Sequence, residues 1–446
     1  MKVASPVLFL ELNEINFDFV RKYCAAGMLP NLAQLLRNFP LHRTSSEKNY
    51  EELEPWIQWV TAHTGKPLSE HGVFRLGDII NTDIDQIWEQ LERRGVRVGA
   101  VSPMNAKNRL REPAFFIPDP WTRTKVSAGP VARDLHDAIC VAVNENASGK
   151  FGLSVVRRLV RGLLAYARPA NYLRYVRYVL GSVRGAPWRR ALFLDLLLAD
   201  VFVREVESTS PQFATLFLNA GAHIQHHYMF CSSAYAGERR NPNWYIKPGI
   251  DPVREVLELY DHIIGSVRRQ FPKARFMLAT GLHQDPHEKA TYYWRLRQHD
   301  QFLRKIGLKF SSVEALMSRD FLVRFDNPEL ARDAQLRLES ARAHDGAPLF
   351  EVDNRGADLF AMLVYPDPIG PGFAFTVGSE AFEDLASDVV FVAIKNGKHN
   401  GIGYFLDAGA MAGEEAREFP LSTLPTRIAE AVLGPTGPEN LKSSSA

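Results

Sequence analysis

The chain has 446 residues, 46% hydrophobic and 23% charged, with a net charge of +2 at pH 7. That is ordinary for a soluble globular protein, and a charge so near zero gives no whole-molecule reason to expect a nucleic-acid partner. Three cysteines (Cys24, Cys140, Cys231) lie far apart, with no zinc-like or disulfide-framework spacing, which fits a reducing compartment. The first apolar run is short and ends in carboxylates, a poor signal peptide, and no window approaches the roughly 18 apolar residues of a membrane span. The expectation is a cytoplasmic protein whose membrane contact, if it has one, is peripheral.

In chain order, Val7–Leu12 is an apolar run that breaks into Glu11, Asn13 and Glu14, as a first buried strand with polar groups at its carboxyl end would. Ligands of open α/β sheets sit beyond the carboxyl ends of the strands, so Glu11, Asn13 and Glu14 become candidates for chemistry. The plainer reading makes the two glutamates helix-start carboxylates. Phe17 to Phe39 has helical periodicity interrupted at Gly27–Pro30. Pro55 to Thr64 is a helix with Pro in its first turn and Gly65 as its stop. Thr82 to Arg94 is an amphipathic helix, and Val96 to Val101 is a strand ending at Ser102-Pro103-Met104-Asn105. Phe115 to Thr122 is an aromatic loop packed on the body.

Phe151 to Arg190 stands apart: it holds nine arginines and no Asp, Glu or Lys. Arg157, Arg158 and Arg161 fall near one helix face. The stretch reads either as a solvated helical insertion or as a docking surface for anionic lipid, glycan or phosphate groups. Beyond it, Leu192 to Val206 is a buried helix. The strand Phe213–Leu218 ends at Asn219, His223, His226 and His227. The helix Val253 to Gln270 leads to a strand, Arg275–Ala279, that ends at His283 and His287. Three strands thus deliver His, Asn or Glu to one edge and a fourth offers Asn105, which favours a site over chance. From Gly307 to Thr376 three strands and a helix (Pro328 to Ala343) suggest a small α+β insertion. The chain returns with Val389 to Ile394, His399 and the strand Ile402 to Leu406, and closes on a helix from Leu424 to Leu433.

The order of these landmarks resembles the alkaline phosphatase superfamily, most closely its phosphodiesterase/nucleotide pyrophosphatase branch. The resemblance rests on Leu29-Pro30-Asn31-Leu32, Thr64-Gly65 with His71-Gly72, Ile87-Trp88, Gly95-Val96, Pro103-Met104, His223, Tyr260-Asp261, His399 with Gly401, and Leu424-Pro425-Thr426. It implies an α/β fold with a doubly wound, mostly parallel sheet. The core would span 1–150, 191–306 and 377–433, carrying the arginine-rich helices (151–190) and a small cap (307–376), with a disordered tail at 434–446.

The family's chemistry uses two divalent metals roughly 4 Å apart and a Ser or Thr nucleophile at a helix N-terminus. Here the first Asp ligand aligns with Asn13, the nucleophile position with Pro55 beside Glu54, a later Asp with Asn219, and the Asp-His pair with Leu282-His283. His223, His283 and His399 match surviving ligands. The resemblance therefore implies a metal or anion site at Asn13, Asn219, His223, His283 and His399, while Glu54 and Glu14, which the family does not require, are the candidate catalytic groups of this chain. Glu11, Asn105, Arg157 and Arg161 would bind substrate. The cofactor would be zinc or manganese, as one ion or none. In one reading the site is a rebuilt hydrolase or transferase for a small-molecule or glycan phosphate or sulfate ester. In the other it is a catalytically silent pocket that binds an anionic ligand. Membrane contact would run through the arginine-rich helices, and no nucleic acid is expected.

Overall fold

The computed structural model describes residues 5–144, 152–316, 319–410 and 414–434. They form two compact units, the first from the described residues within 1–286 and 397–434 and the second from those within 287–396.

The first unit is built on an eight-stranded sheet. Its strands are β1 (Val7–Leu12), β2 (Leu41–Ser45), β3 (Val98–Val101), β4 (Phe115–Ile117), β5 (Phe213–Leu218), β6 (Arg275–Ala279), β7 (Ile402–Asp407) and β8 (Glu418–Pro420), in the order β8-β2-β7-β6-β1-β5-β3-β4. Every pairing is parallel except those of β7, which runs antiparallel to β6 and β2. Strand β1 is central because it is buried along its whole length, and its side chains alternate between two cores. Leu8, Leu10 and Leu12 enter one, and Val7 and Phe9 the other. Each such Leu or Phe fully removed from water contributes about 1.5–3 kcal/mol.

The first core is covered by α1 (Phe17–Ala25), α2 (Pro30–Asn38), α8 (Arg189–Thr209), α9 (Ala220–Tyr228) and α10 (Pro252–Gln270). The second is covered by α3 (Pro55–Thr64), α4 (Ile87–Glu92) and α11 (Leu424–Leu433). Outside the first layer lie α5 (Pro130–Asn144), α6 (Leu153–Tyr166) and α7 (Tyr172–Val183), with α6 packed on α5 and α7 on α8. The layering is the doubly wound α/β architecture expected from the alternation of strands and helices.

Three local expectations change. The helix expected from Thr82 is only Ile87–Glu92, because Gln86 caps it: Glu89 Oε2 accepts the Gln86 N–H at 2.8 Å, while the Gln86 side chain donates to Lys107 O at 2.8 Å. The aromatic stretch at Phe115 is strand β4 at the sheet edge, fully buried beside β3. The helix expected from Pro328 to Ala343 stops at Glu339, and Ala341–Ala343 pairs as a strand with Phe375–Val377.

The second unit has its own core around Phe302, Phe321, Phe350 and Phe375. Its four-stranded antiparallel sheet orders the segments 350–354, 358–363, 320–324 and 312–315. The strands read from sequence within 307–376 fall inside it. The tail expected to be disordered lies, from 435 on, outside the described residues.

Candidate metal centre

The site forms at the ends of β1, β5 and β6, where ligands of open α/β sheets bind. β1 delivers Asn13 and Glu14, β5 delivers Asn219 and the helix α9, and β6 delivers Thr280 to Gln284. Because β7 is antiparallel, its beginning lies at the same edge, so His399, just before it, joins groups brought by the ends of the others.

Glu14 is the centre. It is 2% exposed and adopts φ +60°, a left-handed conformation that costs a non-glycine residue about 1–3 kcal/mol. Its backbone is held on several sides: its N–H donates to Thr280 O at 3.1 Å, and its carbonyl accepts from Gln225 Nε2 at 2.7 Å and from Gln284 N at 3.2 Å. Its carboxylate accepts from Asn13 Nδ2 at 3.1 Å and from Gln284 Nε2 at 2.5 Å. The same Oε2 stands 3.1 Å from His226 Nε2 and 3.1 Å from His399 Nε2, and the two imidazole nitrogens are 3.2 Å apart. Burial by itself raises the pKa of Glu14, but the facing His399 and His226 outweigh it and hold the carboxyl far below the usual range.

These three donors have the spacing of a cation site. Zinc bonds of about 2.0–2.1 Å at a tetrahedral angle place neighbouring donor atoms roughly 3.3 Å apart. One carboxylate and two imidazoles suit zinc, or another first-row divalent ion, and leave a coordination position open. Glu54 lies beside the set, its Oε2 3.8 Å from His399 Nδ1. It precedes α3, whose first residue is Pro55. The Tyr50 hydroxyl lies against the His399 backbone, and burial, then Glu54, push its pKa up, so it stays protonated.

The other sequence candidates have different places. Asn13 and Asn219 bond to each other (Nδ2 to Oδ1, 2.8 Å), and Asn13 Oδ1 accepts from Trp59 Nε1 at 2.7 Å; these amides brace Glu14. His223 is on the same helix as His226, but it is not among the three donors that converge, and its ring meets His227 edge-on at 4.9 Å between centroids. His283 points aside: Nδ1 donates to Ile402 O at 2.5 Å, and Nε2 faces Asp285 Oδ1 at 3.3 Å. Asp285 also accepts from Asn400 Nδ2 at 2.7 Å. Glu11 is fully buried in the sheet, 3.1 Å from His63 Nε2 and accepting the Thr215 hydroxyl. Asn105 is fully buried at φ +49° and staples backbone, donating to Trp56 O and Arg75 O and accepting from Gly77 N. Arg157 and Arg161 sit on exposed α6, with Arg161 3.0 Å from Asp134.

His226 belongs to the set although its spacing alone did not single it out from its two neighbours. The helical register of α9 turns it, rather than His223, toward Glu14. Gln284 and Trp59 are also parts of the site, and no residue pattern in the sequence marks them.

No family model and no curated protein matches the chain. Solved structures similar to it include murine ectonucleotide pyrophosphatase/phosphodiesterase 5, at 11% identity and TM-score 0.44, covering 98% of this chain and 97% of that one. The human enzyme of the same name is 12% identical with TM-score 0.46, covering 98% and 96%. Phosphonoacetate hydrolase from Sinorhizobium meliloti, solved with phosphonoacetate, is 12% identical with TM-score 0.44, covering 96% of each chain.

Proposed function

We propose that the first unit is a divergent alkaline phosphatase-like hydrolase that holds a single divalent cation on Glu14, His226 and His399 and acts on a phosphate or sulfate ester. The observation that carries the reading is the convergence of one carboxylate and two imidazole donors, from three separate parts of the chain, at 3.1–3.2 Å. The left-handed backbone of Glu14 at this convergence supports the reading, since strained positions cluster at functional sites.

Glu14, His226 and His399 would hold the divalent ion, which would supply positive charge to stabilise an anionic ester group. The chain's own part is in its residues. Asn13, Trp59 and Gln284 fix the Glu14 carboxylate. The His226 and His399 side chains keep 25% and 11% of their surface accessible, so the donor set is reachable from solvent. We assign the general base, which would take a proton from an attacking water, to Glu54, whose side chain keeps 34% of its surface accessible.

One observation favours a silent binding pocket as a second reading. Helix α3 begins at Pro55 and offers no hydroxyl at its N-terminus, while Thr61 and Thr64 spend theirs on His71 and on Val60 O. Turnover of phosphodiester and sulfate-ester substrates, with and without chelator, separates the two. Chelator-sensitive turnover that falls at least about a hundredfold in Glu54→Gln supports the hydrolase, since general-base catalysis contributes about that much or more. Saturable, chelator-sensitive binding of phosphate or sulfate without turnover would leave only the pocket.

A further inference from the structure

Helices α6 and α7 present an outward face that a water-facing helix would not have. On α6, Leu153, Val156, Val160 and Leu164 follow helical spacing and are 90%, 44%, 49% and 81% exposed. On α7, Leu173, Val176, Leu180 and Val183 repeat the pattern at 86%, 54%, 43% and 74%. Of the 18 exposed large hydrophobic side chains among the described residues, 10 lie on these two helices, so they are concentrated rather than scattered.

The opposite faces are anchored. Gly162 of α6 lies so close to Leu135 of α5 that an added Cβ would come within 2.6 Å of it. Tyr175 and Tyr178 of α7 are buried, and the Tyr175 hydroxyl donates to Asp200 Oδ2 at 2.9 Å. The helices are therefore docked on the body with their apolar stripes turned out.

Charge says what covers the stripes. Arg161 and Arg158 answer acids of α5, and Arg177 and Arg189 both pair with Glu255. Arg157, Arg184 and Arg190 are exposed and have no carboxylate partner among the described residues. A second copy apposed through the same face would set arginine against arginine. A nucleic acid would satisfy the arginines and leave the leucines wet. An anionic bilayer surface satisfies both, taking the leucines into the headgroup–acyl boundary and the guanidiniums to phosphate. No described helix is long and apolar enough to cross a membrane, and these two have the composition of helices that lie on one.

We propose that α6 and α7 are a membrane-docking surface that holds the protein on bilayers rich in anionic lipid, independently of what the metal centre does. The test is flotation of the full chain with vesicles of phosphatidylcholine alone or mixed with phosphatidylglycerol. The wild type should float with the mixed vesicles only, and less so at high salt. Each arginine near an anionic surface is worth about fivefold in partitioning, so Arg157→Gln/Arg184→Gln/Arg190→Gln should weaken binding on the order of a hundredfold. Leu164→Ser/Leu173→Ser should weaken it at least about tenfold, while melting like the wild type because both sites are exposed. No flotation of the wild type, or equal flotation with neutral vesicles, would overturn the proposal. So would a dimer in sedimentation velocity that the leucine variant dissociates.

Discussion

Asp195→Ala probes how helix α9, and with it His226, is held at the site. Asp195 projects from α8 and brackets the start of α9: Oδ2 accepts the Tyr260 hydroxyl at 2.7 Å and the Ala220 N–H at 2.8 Å, and Oδ1 accepts the Asn219 N–H at 3.3 Å. Tyr260 in turn accepts the Gly221 N–H at 2.8 Å, so three consecutive backbone donors depend on this pair. Asp195, Ala220 and Tyr260 are all at most 2% exposed, so water cannot replace the lost acceptor. Each buried donor left unpaired costs about 1–3 kcal/mol, and loss of a helix-start acceptor about 0.5–2 kcal/mol. The sum for two well-aligned donors, the Tyr260 hydroxyl and the helix-start Ala220 N–H, is about 1.5–5 kcal/mol, a large part of the roughly 5–15 kcal/mol that a folded domain has. Urea unfolding followed by circular dichroism should show the midpoint falling with an unchanged slope, and divalent-cation affinity should fall with it. A loss below about 1 kcal/mol, with cation affinity intact, would refute the claim that Asp195 and Tyr260 position α9.

Asp195→Asn tests the charge alone. Burial pushes the Asp195 carboxyl up from 3.8 to about 6, against the hydrogen bonds from Tyr260 and the backbone. A raised carboxyl pKa stabilises the fold fully below 3.8, and that stability is lost as pH rises through about 6, a change of about 3 kcal/mol. The wild type should lose stability across that window relative to the Asn variant, as read from urea midpoints at several pH values. Gly221→Ala would place a Cβ 2.3 Å from Ile15 Cδ1 and 2.9 Å from Tyr260 Cε2, and should cost about 1–3 kcal/mol by the same assay. Trp59→Phe should cost about 1–3 kcal/mol by leaving Asn13 Oδ1 without its indole donor, and should weaken cation binding by loosening Glu14.

Much of the architecture is legible in the sequence because its strands are short apolar runs with polar residues just beyond them. Val7–Leu12, Phe213–Leu218 and Arg275–Ala279 announce themselves this way, and their ends do converge. Direction is not legible: period-two patterning cannot show that Ile402–Asp407 runs opposite to its neighbours, yet that is what brings His399 to Glu14. Short polar or edge strands such as Leu41–Ser45 and Phe115–Ile117 carry too little pattern to be recognised. Glu11 looked like a site residue because it stands at the carboxyl end of the first strand. Its partners, His63 and Thr215, lie 52 and 204 residues away, and only the fold reveals them. Asn13 and Asn219 occupy positions where the family resemblance implies ligands, but here they bond to each other. The choice among His223, His226 and His227 depends on helix phase, which spacing alone leaves open.

The most direct test of the central claim is the metal content, by elemental analysis, of protein purified without chelator, comparing wild type with Glu14→Gln and His399→Ala. A single equivalent of zinc or another first-row divalent metal in the wild type, lost from both variants while they remain folded, is the predicted result. No metal in the wild type after incubation with zinc or manganese, or the same content in all three proteins, would contradict it.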